Sequence, residues 1–285
     1  MPPDAGRWTA WRRVQERAVT LCLLLATGVV LVPVASVLYV TVRNGIAAWN
    51  WAFFTQVPAA VGASGGGVGN AIAGTALLVM LALFVAAPVG LMAGVYLSEF
   101  GREGGFPRAV RVVNDALMGV PTIVLGIFVY AAVVVPMGHF SALAGSVALA
   151  LILIPTVVRV TEDMLRMVPP ELRDAGLALG VPEWRVITSI VLRAAFPGIL
   201  TGIALGVARI AGETAPLLFT AFGNPNWALN PLQPVSALPL QVFLDAVSPY
   251  ADLQQKAWGA ALLLIVIVAC GNGFARAYTY GRKVG

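Results

Sequence analysis

Apolar runs long enough to cross a bilayer recur along this chain, and they leave few architectures open. A hydrocarbon core about 30 Å thick needs roughly 20 apolar residues per helix, and six runs of that order occur. They cover about Ala18 to Val42, Ala71 to Ser98, Val110 to Val135, Ala142 to Val158, Pro197 to Phe222 and Trp258 to Phe274. Pro88 interrupts the second, and Asp115 and Pro121 lie in the first half of the third. The runs are continuous rather than alternating, and an open sheet cannot satisfy its backbone groups in lipid, so helices are expected. Composition agrees, with 59% hydrophobic and 11% charged residues, against about a quarter charged in soluble domains. The sequence therefore predicts an all-α polytopic membrane protein with six transmembrane helices.

Arg7, Arg12, Arg13 and Arg17 precede the first run, as basic residues precede a signal peptide's apolar region. The run is long and no clear small-residue cleavage site ends it, so it is expected to stay as an anchor. Of the 18 Lys and Arg, all but Arg43, Lys256 and Arg209 fall on the amino terminus, on the loops after the second and fourth helices, or on the carboxy terminus. The positive-inside rule places those segments and both termini in the cytoplasm. The net charge of +5 is thus a topology signal. Basic residues spread over several short loops give little support to nucleic-acid binding.

Cys22 and Cys270 lie in the first and sixth predicted helices and read as buried apolar thiols, with no disulfide framework. His139 sits alone in a short extracytoplasmic turn, MGHFSA, without the neighbours a metal site requires. Two extracytoplasmic loops are long, Arg43 to Asn70 and Gly223 to Gln255. The first holds Trp49, Trp51 and Phe53, then GASGGGVGN, which read as interfacial aromatics and a flexible linker. No Gly-Lys-Ser/Thr follows those glycines, so no Walker-type ATP site is expected. The proline-spaced second loop fits an ordered docking surface and a plain connector equally.

The cytoplasmic loop from Arg159 to Arg193 mixes polar and apolar residues at spacings of three and four. That pattern predicts two short amphipathic helices, broken at Gly180-Val181-Pro182. Its stretch DAGLALGVPEWRVITSIVL resembles the coupling loop of ABC importer permeases, in which Glu-Ala-Ala is followed by three residues, Gly, nine residues and Ile-x-Leu-Pro. Asp174, Ala175 and Gly176 occupy the triplet here, then Gly180, Ile190 and Leu192, with Asp for Glu, Gly for Ala and Arg193 for the final Pro. A short helix of this kind can insert an apolar face into a groove on a soluble ATPase subunit, or else rest on the lipid surface.

The fifth run holds ARIAGETAPLLFT, with Arg209 and Glu213 four residues apart. Counted from Pro197, Arg209 lies about 18 Å along a helix at 1.5 Å per residue, which predicts a mid-bilayer position. A charge there must face protein, water or a ligand. Arg209 and Glu213 on one helix face are either a structural ion pair or part of an anion path. The second is favoured, because burying both charges offsets most of their attraction and a guanidinium's planar donors match two oxyanion oxygens. Arg159 is either a second path residue or a snorkelling anchor. Asp115 either pairs with one of these arginines or with neither. Gly90 and Gly94, and Gly198, Gly202 and Gly206, have the spacing of close helix packing.

The segment ARIAGETAPLLFTAFGNPNW is similar to the fifth-helix signature of PstA-type permeases in the bacterial phosphate-specific ABC importer. GHFSALAGSVALALILIPTVVR and GGVGNAIAGT match the same family, and the likeness covers nearly the whole chain after the amino terminus. The resemblance implies a cytoplasmic segment over residues 1–17 and an inner-membrane permease domain over 18–285, with its coupling loop at about 159–193. It implies an inorganic phosphate path through Arg209 and Glu213, with Thr214 as a hydroxyl partner. It also implies a companion permease, two ATPase subunits that bind the ATP and Mg, and an extracytoplasmic phosphate-binding protein. Rival readings are a permease for sulfate, molybdate or a phosphonate, and an ATP-independent anion transporter. No catalytic constellation is visible, so the chain is not expected to be an enzyme.

Overall fold

The computed structural model describes residues 5–60, 65–101 and 104–281. Residues 62–64 of the glycine-rich stretch, Arg102, and residues 1–4 and 282–285 lie outside that range, as do the side chains of Arg7 and Arg276. In chain order the helices are α1 (Ala5–Ile46), α2 (Trp51–Thr55), α3 (Gly69–Val95), α4 (Gly105–Gly119), α5 (Thr122–Val129), α6 (Val135–Met137) and α7 (Ala142–Arg166). There follow α8 (Pro170–Ala178), α9 (Glu183–Val186), α10 (Leu192–Ala211), α11 (Ala215–Leu218), α12 (Leu238–Ala246) and α13 (Ala251–Gly281). Single π-turns at Tyr96–Phe100, Tyr130–Val134 and Ile187–Val191 extend α3, join α5 to α6 and join α9 to α10.

Among the described residues, five helical stretches are long and apolar enough to cross a membrane, and a sixth crossing arises if α4 and α5–α6 count as one broken span. The expected third helix is not continuous: its halves meet at 102°. Val120 is extended, with ψ 131°, immediately before Pro121. The proline's Cδ disfavours helical backbone at that preceding residue, and its missing N–H removes a helical bond.

The fifth span also differs from the expected Pro197 to Phe222. It runs from Glu183 to Ala211. Its early start follows from Val186 and Val191, which are buried in one cluster with Leu165, Val168, Ala195 and Ile199. It stops at Gly212 because a proline at position 216 would drive its ring into the carbonyl four residues back. The fourth helix outlasts its expected end by two turns and reaches Arg166. The first likewise begins at Ala5, so residues 5–17 form one helix with the apolar run.

α7 is the centre of the bundle, and glycines let its neighbours close on it. A Cβ on Gly90 of α3 would lie 2.6 Å from Val157 Cβ, and one on Gly94 would lie 2.5 Å from Thr161 Cβ. On the other side Gly198, Gly202 and Gly206 of α10 press against Met164, Val160 and Leu153 of α7. The small-residue spacing thus serves packing within the chain, as expected. The pairings also give direction: α10 runs antiparallel to α7, so Arg209 lies further from α8 than Gly198 and Gly202 do.

At the end of the bundle opposite α8, the loop before α13 is ordered. Leu238 N–H donates to Thr75 Oγ1 at 2.8 Å, Asn70 Nδ2 to Asn224 O at 2.7 Å and Leu143 N–H to Pro231 O at 2.7 Å. These bonds tie it over the starts of α3 and α7. The expected flexible linker is likewise packed where described: Gly67 lies against the Ala52 and Phe53 carbonyls, and Gly69 leaves only 3.0 Å to Phe54 O for a Cβ. Cys22 and Cys270 lie on α1 and α13 but are exposed, not buried. An apolar helix face turned to lipid needs no protein cover.

Candidate functional site

Arg209 occupies the last turn of α10, which ends at Ala211. The helix unwinds through Gly212 and Glu213, whose N–H groups donate to Arg209 O at 3.1 Å and Ile210 O at 3.2 Å. The four-residue spacing still brings the two side chains together, with Arg209 Nε 3.9 Å from Glu213 Oε1. That exceeds hydrogen-bond distance, and the guanidinium stays 53% exposed against 16% for the carboxylate. Glu213 therefore supplies charge beside Arg209 without occupying its donors. Thr214 sits in the same break, half-buried, just ahead of α11. The break is held from outside, since Pro216 of α11 packs where a Cβ on Gly126 of α5 would be, 2.6 Å from Pro216 Cα.

Arg159 lies within α7, two turns before its end. Its Nε donates to Asp163 Oδ2 at 3.1 Å, and its Nη1 is 3.9 Å from Asp115 Oδ1 of α4. Asp115 thus pairs with Arg159. All three side chains are about half exposed, so this charged group faces away from the core, as Arg209 does. The two arginines do not meet. Val160 packs on Gly202, seven residues before Arg209, so they differ in depth by about 10 Å at 1.5 Å per residue.

The other predicted cluster is a helix lying across one end of the bundle. α8 carries Asp174 and Ala175 on its exposed side, while Gly176 is buried against Val186 and Ile190, with only 2.9 and 3.0 Å available for a Cβ. A side chain at this position would push α8 off the fifth span. Gly180, at φ +75°, ends the helix: its N–H donates to Leu177 O at 2.9 Å and that of Val181 to Gly176 O at 3.2 Å. This pair of bonds is a Schellman cap, which requires a residue that tolerates left-handed backbone. Leu172, Leu177 and Leu179 are exposed, leaving an apolar face for another surface.

One expectation about this loop fails. There is no second separate helix, because α9, the π-turn and α10 form one continuous rod from Glu183. Ile190 and Leu192 are therefore half-buried residues of the fifth span. Arg193, standing where the motif has proline, lies exposed inside that rod.

Sequence reasoning missed four charged residues beside α8. Arg173 forks onto Glu99, Nε to Oε2 at 3.0 Å and Nη2 to Oε1 at 2.9 Å, and Arg111 Nε donates to Glu162 Oε1 at 2.8 Å. Both carboxylates are only 4% exposed. The available signal was an acid, Glu99, closing an apolar run, and a Glu162–Arg166 pair one turn apart.

A family profile described as "Binding-protein-dependent transport system inner membrane component" matches residues 86–280. The chain is 46% identical over 268 residues to the phosphate transport system permease protein PstA of Yersinia pestis, covering 94% of this chain and 90% of that one. It is 40% identical over 273 residues to the Haemophilus influenzae protein of the same name, covering 96% of each. With the probable PstA of Methanocaldococcus jannaschii it shares 45% identity over 205 residues, 72% of this chain and 73% of that one. Among solved structures, an inward-facing form of the MetNI methionine ABC transporter superposes with a TM-score of 0.60 at 17% identity, covering 75% of this chain and 93% of that one. That likeness concerns the fold alone. The chain belongs to the binding-protein-dependent transport system inner membrane components, and within them to the PstA-type permeases.

Proposed function

We infer that this protein is the inner-membrane permease subunit of a phosphate ABC importer, one half of the translocation path for inorganic phosphate. The observation that carries the substrate is the near full-length identity with phosphate permeases from several organisms. The chemistry fits: Arg209 is a basic group where α10 unwinds, half exposed and only loosely paired with Glu213. A guanidinium there can fork onto two phosphate oxygens, and the nearby carboxylate keeps the anion from binding too tightly for release. Thr214 offers a hydroxyl to the same anion, and Arg159, about 10 Å deeper, receives it next.

In this reading the α8 end, with the basic loops and both termini, faces the cytoplasm. Phosphate reaches the α12 end from an extracytoplasmic binding protein. A second permease subunit closes the exposed arginine-bearing faces into a path, and the membrane's lipid covers the remaining apolar flanks. A pair of ATPase subunits, which bind ATP and Mg, takes α8 into a groove through Leu172, Leu177 and Leu179. Gly176 and Gly180 hold α8 at the required distance and length, Asp174 and Ala175 face the ATPase, and Ile190 and Leu192 anchor the rod on which α8 rests. Hydrolysis is the partners' chemistry.

Phosphate uptake by proteoliposomes containing the full complex, with Arg209→Gln compared to wild type, tests the path. Lost uptake with normal co-purification of the ATPase is expected. Normal uptake would reduce the Arg209–Glu213 pair to structure. Competition by excess sulfate, expected to be weak, separates phosphate from other oxyanions.

A further inference from the structure

The two buried carboxylates at the α8 end and their partly buried arginines form a crossed pair of clamps. Arg173, from α8, donates to Leu165 O at 2.9 Å and Val168 O at 2.7 Å, the carbonyls that end α7, while its fork holds Glu99 at the end of the α3 rod. Arg111, from α4, does the converse. It donates to Leu97 O at 2.8 Å and Gly101 O at 2.9 Å, which end the α3 rod, while it holds Glu162 of α7. Each guanidinium caps one rod's terminal carbonyls and pairs with the other rod's carboxylate. Cations are favoured at helix carboxy ends on both counts, and bidentate arginine pairs are rigid as well as strong.

α8 has few other attachments. Nine residues are too few to hold a helix in isolation, and Gly176 is its one buried residue. Motion of α8 therefore reaches the bundle by two routes, through Gly176 to the fifth span and through Arg173 to α3 and α7. The second route continues: Glu162 hands it to Arg111 on α4, and on that helix Asp115 faces Arg159.

We propose that the Arg173–Glu99 and Arg111–Glu162 clamps are the joint that transmits ATPase-driven movement of α8 to the inner arginine of the path, with Arg173 and Glu99 as positioning residues for transport. This rests on the reading of α8 as the ATPase-docking helix. A joint of this kind sets how much transport each hydrolysis event yields. A merely structural pair would lower hydrolysis and transport together.

The test measures phosphate uptake and ATP hydrolysis in the same proteoliposomes carrying the full complex, for wild type, Arg173→Gln, Glu99→Gln and the double variant. With the ATPase still co-purifying, hydrolysis persists while uptake per ATP falls about tenfold, within the usual range of coupling free energies. The double variant falls no further than the single ones, because one joint is broken only once. Arg173→Lys, which keeps the charge but not the fork, recovers part of the loss. Unchanged uptake per ATP, or a proportional fall in both rates, overturns the proposal. So does failure of both single variants to assemble, which would make the clamp a folding element. Leu179→Glu, outside the clamp, is the docking control. Retention of the ATPase by that variant sinks the docking reading, whereas loss of the ATPase together with unchanged coupling in Arg173→Gln sinks the clamp alone.

Discussion

Two regions of the bundle use the same chemistry, arginine beside carboxylate, to opposite effect. At the α8 end Arg173 and Glu99 are 13% and 4% exposed and joined by two short bonds, with backbone carbonyls taking further donors of the guanidinium. Where α10 unwinds, Arg209 and Glu213 stand 3.9 Å apart, and the guanidinium is half exposed. With four of its five N–H donors engaged, Arg173 has little left for a ligand, and a buried pair cannot separate without exposing a charge to an apolar surrounding. Loose donors hold little structure together but are available to an anion. Local backbone sets the difference: Arg173 projects from a helix pressed against two rod ends, whereas Arg209 projects from a helix that unwinds beside it.

The sharpest way to break this comparison is to remove one buried partner. Glu162→Ala leaves Arg111 and Arg166 without their shared carboxylate. Loss of one member of a buried pair costs about 3–5 kcal/mol, and denaturation in mixed micelles is expected to show a loss of that order. A loss below about 1 kcal/mol, the surface-pair value, would place the clamp in the same class as Arg209–Glu213. Next in size is the seam that holds both regions in register. Gly202→Val adds a branched side chain where Val160 already lies, and overpacking costs about 1–3 kcal/mol. The same substitution at Gly28, where nothing lies within 4 Å, is expected to change stability little.

Arg209→Gln completes the contrast. Its pair is long and exposed, so the cost to stability is expected to stay below about 1 kcal/mol while uptake collapses. A stability loss as large as that of Glu162→Ala would show that the outer pair is structural too.

The periodicity of apolar residues was enough to read the bundle, because lipid admits little besides helices. It misled where a span is not one uniform run. Pro121 and Pro216 end helices through backbone sterics that an apolar count does not register, and so Arg209 stands in the last turn of a helix rather than inside a continuous one. Pro88, Pro155 and Pro197 lie inside continuous helices, so proline alone does not mark a break. The α8 cap was legible because Gly180 and Pro182 are local signals. The clamp was not, since Glu99 and Arg173 are 74 positions apart and only the parallel course of α3 and α7 brings them together.

A third carboxylate shows what burial does without a guanidinium. Asp245 of α12, in the loop between the fifth and sixth spans, is 5% exposed. Its Oδ1 accepts from Gln241 Nε2 at 2.9 Å, while Oδ2 has no hydrogen-bond partner. Burial pushes its pKa above the ordinary 3.8, and the Gln241 bond and Lys256 only partly offset this, with Asp252 adding a further push upward. A carboxyl whose folded-state pKa is raised binds its proton more tightly when folded. The stability this group contributes is then greatest below pH 3.8 and is lost as pH rises through the folded-state value. Asp245→Asn removes that fall without removing the acceptor for Gln241. The variant is expected to match wild type in acid and to be slightly more stable than wild type at neutral pH, a difference visible in paired thermal melts across the acid range. The opposite sign at neutral pH would mean that the ionised carboxylate is held as firmly as Glu99 and Glu162 are, and burial without an arginine would no longer separate the two kinds of site.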